Sequence, residues 1–300
     1  MPGRAMVRAV RVAIAMSALG ALWPHAASAD TATCTYSAAA HSAVIDVTFA
    51  PSPATQISIR PSDGALLVYA GGINGTCGGA TRNNLDTLTV NTLNAATTGG
   101  LVYVYPGVPF APGFTNEPGS SDEIEMTFNL TGGGRWLLGI SAASTALPLN
   151  VALGGNAVNF NAGETDGVDA DATVAGARYA FVMGSTSADR IAAGGGPGVP
   201  GPWAVPIVAS SGAGADTLIG GRLADDLSGG LDPDTVIGGK GKDDLKGEGG
   251  VDTLLGKAGA DKLLGGPAKD KLNGGKGTDS CTIKHDKHKS CEVAAKDKKA

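Results

Sequence analysis

From residue 211 to residue 282 the chain cuts, without one insertion, into eight nonapeptides: SGAGADTLI, GGRLADDLS, GGLDPDTVI, GGKGKDDLK, GEGGVDTLL, GKAGADKLL, GGPAKDKLN and GGKGTDSCT. Aspartate fills the sixth place of every unit, as Asp216, Asp225, Asp234, Asp243, Asp252, Asp261, Asp270 and Asp279. The eighth place holds Leu218, Leu227, Val236, Leu245, Leu254, Leu263, Leu272 and Cys281. A nine-residue unit can bury almost nothing alone, so such repeats are stable only when stacked into an array. Within an extended segment an apolar residue every second place turns to one face. Each unit therefore presents an aspartate outside the core and a leucine inside it.

This pattern, G-G-x-G-x-D-x-L-x, resembles the RTX or haemolysin-type calcium-binding nonapeptide. The resemblance implies a parallel β-roll in which each unit supplies a six-residue turn and a short strand, two units complete a coil, and calcium sits between turns stacked on one side. It also implies that the eight aspartates are side-chain ligands and that turn carbonyls complete the oxygen shell. The physical chemistry agrees: calcium takes six to eight hard oxygen ligands in flexible geometry, and glycine lets a turn aim several carbonyls inward. Two units per coil place Asp216, Asp234, Asp252 and Asp270 in one row and Asp225, Asp243, Asp261 and Asp279 in the other. Each row then offers at most three positions between neighbours 18 residues apart. The fourth-place glycine is lost at Leu223, Asp232 and Ala268, and the second-place glycine at Glu248 and Lys257. Gly241, Gly259 and Gly277 keep the fourth place beside Asp243, Asp261 and Asp279, so the strongest calcium sites are expected in that row. The roll carries twelve acidic and nine basic side chains, which predicts weaker coupling between calcium and folding than a more acidic array would have.

The remainder of the chain is read more coarsely. Residues 1–29 have the layout of a secretory signal: Arg4, Arg8 and Arg11, an apolar run from Val12 to Leu22, and Ala27-Ser28-Ala29 as a small-residue cleavage site. The apolar run is too short for a membrane span, which needs about 20 residues. Removing those three arginines takes the formal charge from −5 to −8, a balance that argues against nucleic acid as a partner. Residues 30–183 alternate short runs of β-formers with Gly, Pro and Asn and predict a β-rich domain, either a decayed β-solenoid or a β-sandwich. Glycine, 47 of 300 residues, is about twice as frequent as the average of roughly 7 %, so turns dominate. The whole is expected to be all-β. Residues 184–210 combine a degenerate unit, with Asp189 and Ile191 in register, and a Pro/Gly-rich linker or long insertion loop. Weaker echoes lie at 83–88 and 132–137. Every lysine lies at or beyond Lys240, and residues 283–300 form a Lys-rich tail expected to cap the roll.

Four cysteines allow three connectivities. Proximity favours Cys34 with Cys77 and Cys281 with Cys291, and neither pair has zinc-ligand spacing. The cluster Glu164, Asp166, Asp169 and Asp171 reads as a solvated acidic loop, and His285 and His288 as part of a solvated tail. There is no H-E-x-x-H and no G-x-S-x-G. His41 is the single histidine between the leader and the tail, and Glu123 and Glu125 read as solvent-facing acids rather than a glycosidase pair. The expected protein is a secreted, non-catalytic calcium-binding structural or surface/matrix protein. The alternative is a hydrolase or an adhesin- or toxin-like effector with the roll as an accessory.

Overall fold

The computed structural model describes residues 31–48, 56–61, 66–70, 73–80, 86–93, 101–104, 125–130, 137–142, 149–159, 172–196, 199, 201–282, 287–289, 291 and 293–295. All regular structure among them is β, and no helix there is long and apolar enough to cross a membrane. The leader, the acidic cluster at 164–171, Glu123 and His285 lie outside the described residues.

The strands form two sheets running along one axis. In the repeat region the first sheet contains β16 (Thr217–Ile219), β18 (Thr235–Lys240), β20 (Thr253–Ala258) and β22 (Lys271–Lys276). The second contains β15 (Ile207–Ala213), β17 (Asp226–Leu231), β19 (Asp244–Glu248), β21 (Lys262–Leu264) and β23 (Ser280–Thr282). The chain alternates between them, and every pairing is parallel with an 18-residue step. Leu218 stands opposite Val236, then Leu254 and Leu272. Leu227 stands opposite Leu245, Leu263 and Cys281. These eight residues are at most 1 % exposed. At about 1.5–3 kcal/mol for each fully buried aliphatic side chain, the two columns are what holds the array together.

The same two sheets continue through the N-terminal half. Strands β2 (Ser42–Thr48), β6 (Thr87–Thr92), β8 (Glu125–Asn129) and β12 (Ala172–Ala175) pair in parallel in the first sheet. Strands β3 (Gln56–Pro61), β7 (Leu101–Val104), β9 (Leu137–Ser141) and β13 (Tyr179–Met183) do so in the second, and β13 pairs with β15. This is a solenoid and not a sandwich. Its decay is visible as antiparallel additions: β1 (Thr31–Ser37) covers the first sheet's edge. Strands β4 (Leu66–Ala70) and β5 (Ile73–Thr76) extend the second sheet's edge. A meander of β10 (Asn150–Gly154), β11 (Ala157–Asn159) and β12 widens the first sheet midway.

The described part of the echo at 83–88 begins at Asp86: Leu88 is fully buried, and Asp86, two places earlier, receives the His41 ring at 3.2 Å. Of the echo at 132–137 only Leu137 is among the described residues, and it is out of register. Ile140, not Leu137, stands opposite Val182, which aligns with Ala209 and Leu227.

Of the two readings of the Pro/Gly-rich stretch, the structure has the insertion loop and not the linker. It joins β14 (Arg190–Ala192) to β15, and both sheets run across it. Asp189 and Asp216 are successive members of one row yet lie 27 residues apart, where 18 is the rule. The surplus is one unit long. Val199 is fully buried and Trp203 is 2 % exposed; Trp203 N–H donates to the Ala193 carbonyl at 2.8 Å. Buried apolar side chains in a loop so rich in Gly and Pro fasten it to the roll.

Both disulfides have the pairing that proximity favours, Cys34 with Cys77 and Cys281 with Cys291. The second ties strand β23 to the tail, where β24 (Lys287–Lys289) and β25 (Val293–Ala295) add one strand to each sheet.

Candidate metal centre

Each sixth-place aspartate ends a turn just before a strand, and all eight are between 0 and 3 % exposed; the expectation that they stand outside the core is corrected, because residues two places apart share a face and the aspartate is buried along with its leucine. A buried carboxylate must be hydrogen-bonded or paired with a cation. One oxygen of each is accounted for. Oδ1 of Asp234 accepts the backbone N–H of Asp216 at 2.9 Å, and the bond repeats from Asp234 to Asp252 and from Asp252 to Asp270. In the other row Asp225, Asp243 and Asp261 donate to Oδ1 of Asp243, Asp261 and Asp279 at 2.8–2.9 Å. The aspartates are thus stitches between coils, a role the sequence pattern alone does not reveal.

The second oxygen is another matter. Oδ2 of Asp216, Asp234, Asp243, Asp252, Asp261, Asp270 and Asp279 is buried without a hydrogen-bond partner. First-place glycines face it. A Cβ on Gly238 would lie 2.4 Å from Asp243 Oδ2 and 2.9 Å from the Gly256 carbonyl oxygen. One on Gly256 would lie 2.5 Å from Asp261 Oδ2 and 2.4 Å from the Gly274 carbonyl oxygen. The opposite row repeats this at Gly247, with Asp252 Oδ2 and the Gly265 carbonyl. Carboxylate and carbonyl oxygens from successive coils therefore converge on places where no side chain fits. That donor set, carboxylate and carbonyl oxygens only, suits a hard cation such as calcium. Among the described residues no three His, Cys, Asp or Glu side chains come together, as expected where carbonyls supply most of the ligands.

Burial away from water disfavours the charged form of these carboxyls. Burial, the largest cause, pushes the Asp234 and Asp243 carboxyls up to about 7 and those of Asp225 and Asp252 up to about 6. Asp216 and Asp261 are raised for the same reason.

The first coil is made differently. Oδ2 of Asp225 accepts the Gly221 N–H at 2.7 Å, and Oδ1 the N–H of Ile207 at 2.9 Å. Ile207 occupies the sixth place of an in-frame unit, PWAVPIVAS, that has lost its aspartate. In the opposite row Ser211 replaces the first-place glycine, and its hydroxyl donates to the Gly229 carbonyl at 2.6 Å. Upstream, Asp189 is satisfied throughout: Leu149 N–H and the Ser185 hydroxyl reach Oδ1 at 2.6 and 2.8 Å, and Ser185 N–H reaches Oδ2 at 2.6 Å. Serine in a glycine place was the available signal for this closure.

Gly241, Gly259 and Gly277 have φ of +122°, +155° and +130°. A Cβ on each would strike the carbonyl of the fourth-place residue one coil earlier, at Leu223, Gly241 and Gly259. In the other row the positive φ is kept at Gly214, Asp232 and Gly250 but not at Ala268.

Residues 209–227, 219–254 and 246–281 match the family model of the RTX calcium-binding nonapeptide repeat (4 copies). Residues 209–281 form an RTX-type repeat segment. Comparison with curated proteins and with solved structures gave no match. The match supports calcium binding by this segment, and both aspartate rows lie inside it.

Proposed function

We propose that the chain is a non-catalytic, extracellular calcium-binding protein of the surface or matrix kind, stiffened by its RTX roll. The observation that carries the reading is the column of buried, unpartnered Oδ2 atoms. Calcium would be held by Asp243, Asp261 and Asp279 on one edge and by Asp234, Asp252 and Asp270 on the other, with turn carbonyls. It would neutralise oxygens that burial otherwise keeps protonated and so lock neighbouring coils. The first position on each edge is the weaker, because Gly221 N–H and the Ser211 hydroxyl already serve it. That leaves two open positions per edge, with the stronger pair beside Gly241, Gly259 and Gly277, where the fourth-place turn is uninterrupted. Export is supported by the two disulfides, which persist outside the reducing cytosol, and by the signal-like leader. The absence of metalloprotease and hydrolase motifs supports a non-catalytic role.

Native mass spectrometry of the chain from residue 30 onward, titrated with calcium, tests the reading. Asp261→Asn, which borders both open positions of its edge, should remove two bound ions, and Asp225→Asn none. Equal losses in the two variants would refute the assignment of sites.

A further inference from the structure

With the eight ladder aspartates buried, the surface charge of the roll is set by what remains: four acidic side chains, Asp226, Asp232, Asp244 and Glu248, against nine basic ones. Two of those acids are paired on the outer face of the second sheet, Asp226 with Lys246 at 2.5 Å and Asp244 with Lys262 at 3.2 Å. The other cations are unevenly placed. The edge made by turns 220–225, 238–243, 256–261 and 274–279 carries Arg222, Lys240, Lys242, Lys257 and Lys276, all exposed. It has no acidic side chain besides the buried ladder. The opposite edge carries Asp232, Glu248 and Lys269.

Register turns this into a strip. Lys240 and Lys276 are both aligned on Ala258, and Lys257 stands between Gly239 and Gly275. Cations therefore recur along the axis at the coil spacing, about 4.8 Å. Lys257 sits at φ +75°, in a second place that six of the eight units give to glycine. Glu248 holds the equivalent place on the opposite edge at φ +74°, so both edges carry this strained turn and what distinguishes them is the sign of the charge it presents.

We propose that this edge binds an extended acidic polysaccharide laid along the roll axis, its anionic groups matched to the Arg222, Lys240, Lys242, Lys257 and Lys276 strip. Calcium in the row just beneath adds positive charge to the same edge. A single-stranded nucleic acid fits less well, because channels that hold one add aromatic stacking platforms, and these four turns contain no aromatic residue.

The test is dextran sulfate binding by the calcium-loaded chain across a salt series. Lys240→Gln with Lys257→Gly should weaken binding about tenfold and lower the salt slope by about one per cation removed. Calcium stoichiometry should be unchanged. Lys257→Gly alone should raise thermal stability while weakening binding, a combination that a purely structural lysine would not give. Two control pairs remove the same charge elsewhere, Lys269→Gln with Lys271→Gln and Lys298→Gln with Lys299→Gln. A loss in either control equal to that of the edge pair overturns the proposal, as does tighter binding of an oligodeoxynucleotide than of dextran sulfate.

Discussion

A ladder aspartate does two jobs with two oxygens, and an amide can do only one of them. Asn at 243 keeps an acceptor for the Asp225 N–H but offers an NH2 where Oδ2 stood, beside the Gly256 carbonyl. Asp243→Asn should therefore raise the melting temperature of the calcium-free chain at pH 8 and diminish the further rise on adding calcium. Asp243→Ala, which also strands a buried N–H, should lower calcium-free stability by about 1–3 kcal/mol. Scanning calorimetry with and without chelator separates the two. Glu248 is a simpler case. It holds φ +74° in a glycine place, so Glu248→Gly should stabilise the roll by up to about 1 kcal/mol, read from a denaturant midpoint. At this scale the sequence was legible in its core-facing column and opaque in its stitches. Asp and Leu two places apart declare a turn and a core-facing strand, but nothing in the spacing says that Oδ1 reaches back one coil. That bond depends on how far stacked turns slide past each other.

Coils differ in how their carboxylates are satisfied, and that difference predicts where order survives without metal. Asp189 and Asp225 are completed by backbone and serine donors, whereas Asp234 to Asp279 keep an orphaned Oδ2. Hydrogen exchange in chelator should accordingly show β13, β14 and β15 still protected while β18 to β22 exchange faster, with opening free energies falling along the chain. Uniform loss of protection from β13 to β22 would contradict this. The element boundaries of the repeat were readable from its period of nine. The stretch at 194–206 was not, because its Pro and Gly content reads as a spacer while two residues, Val199 and Trp203, decide its packing. In the N-terminal half the parallel order was hidden by the hairpins at β3–β5 and β10–β12, which interrupt any fixed period.

Across the whole molecule the two halves share sheets but not chemistry. The N-terminal coils hold polar ladders such as Asp46, Asn91 and Asn129, joined at 2.8 and 2.9 Å, which need no metal. The C-terminal coils pile up buried carboxyls. A carboxyl whose folded pKa lies above its unfolded value near 3.8 stabilises the fold at low pH, and that contribution is lost as pH rises through the folded pKa. With folded values near 6 to 7, the calcium-free chain should be more stable at pH 5 than at pH 8. Calcium reverses the order, since it must displace those protons to bind. Each ligand carboxyl titrating near 7 should make calcium binding about tenfold weaker at pH 6 than at pH 8. The most direct measurement is isothermal calorimetry of calcium binding to the chain from residue 30 onward, in buffers of different ionisation enthalpy at pH 6 and pH 8. The aspartate ladder predicts binding that releases protons at pH 6, releases few at pH 8, and falls by two ions per chain when Asp243, Asp261 and Asp279 become asparagine. Calcium binding without proton release at pH 6, or an unchanged stoichiometry in that triple variant, would contradict it.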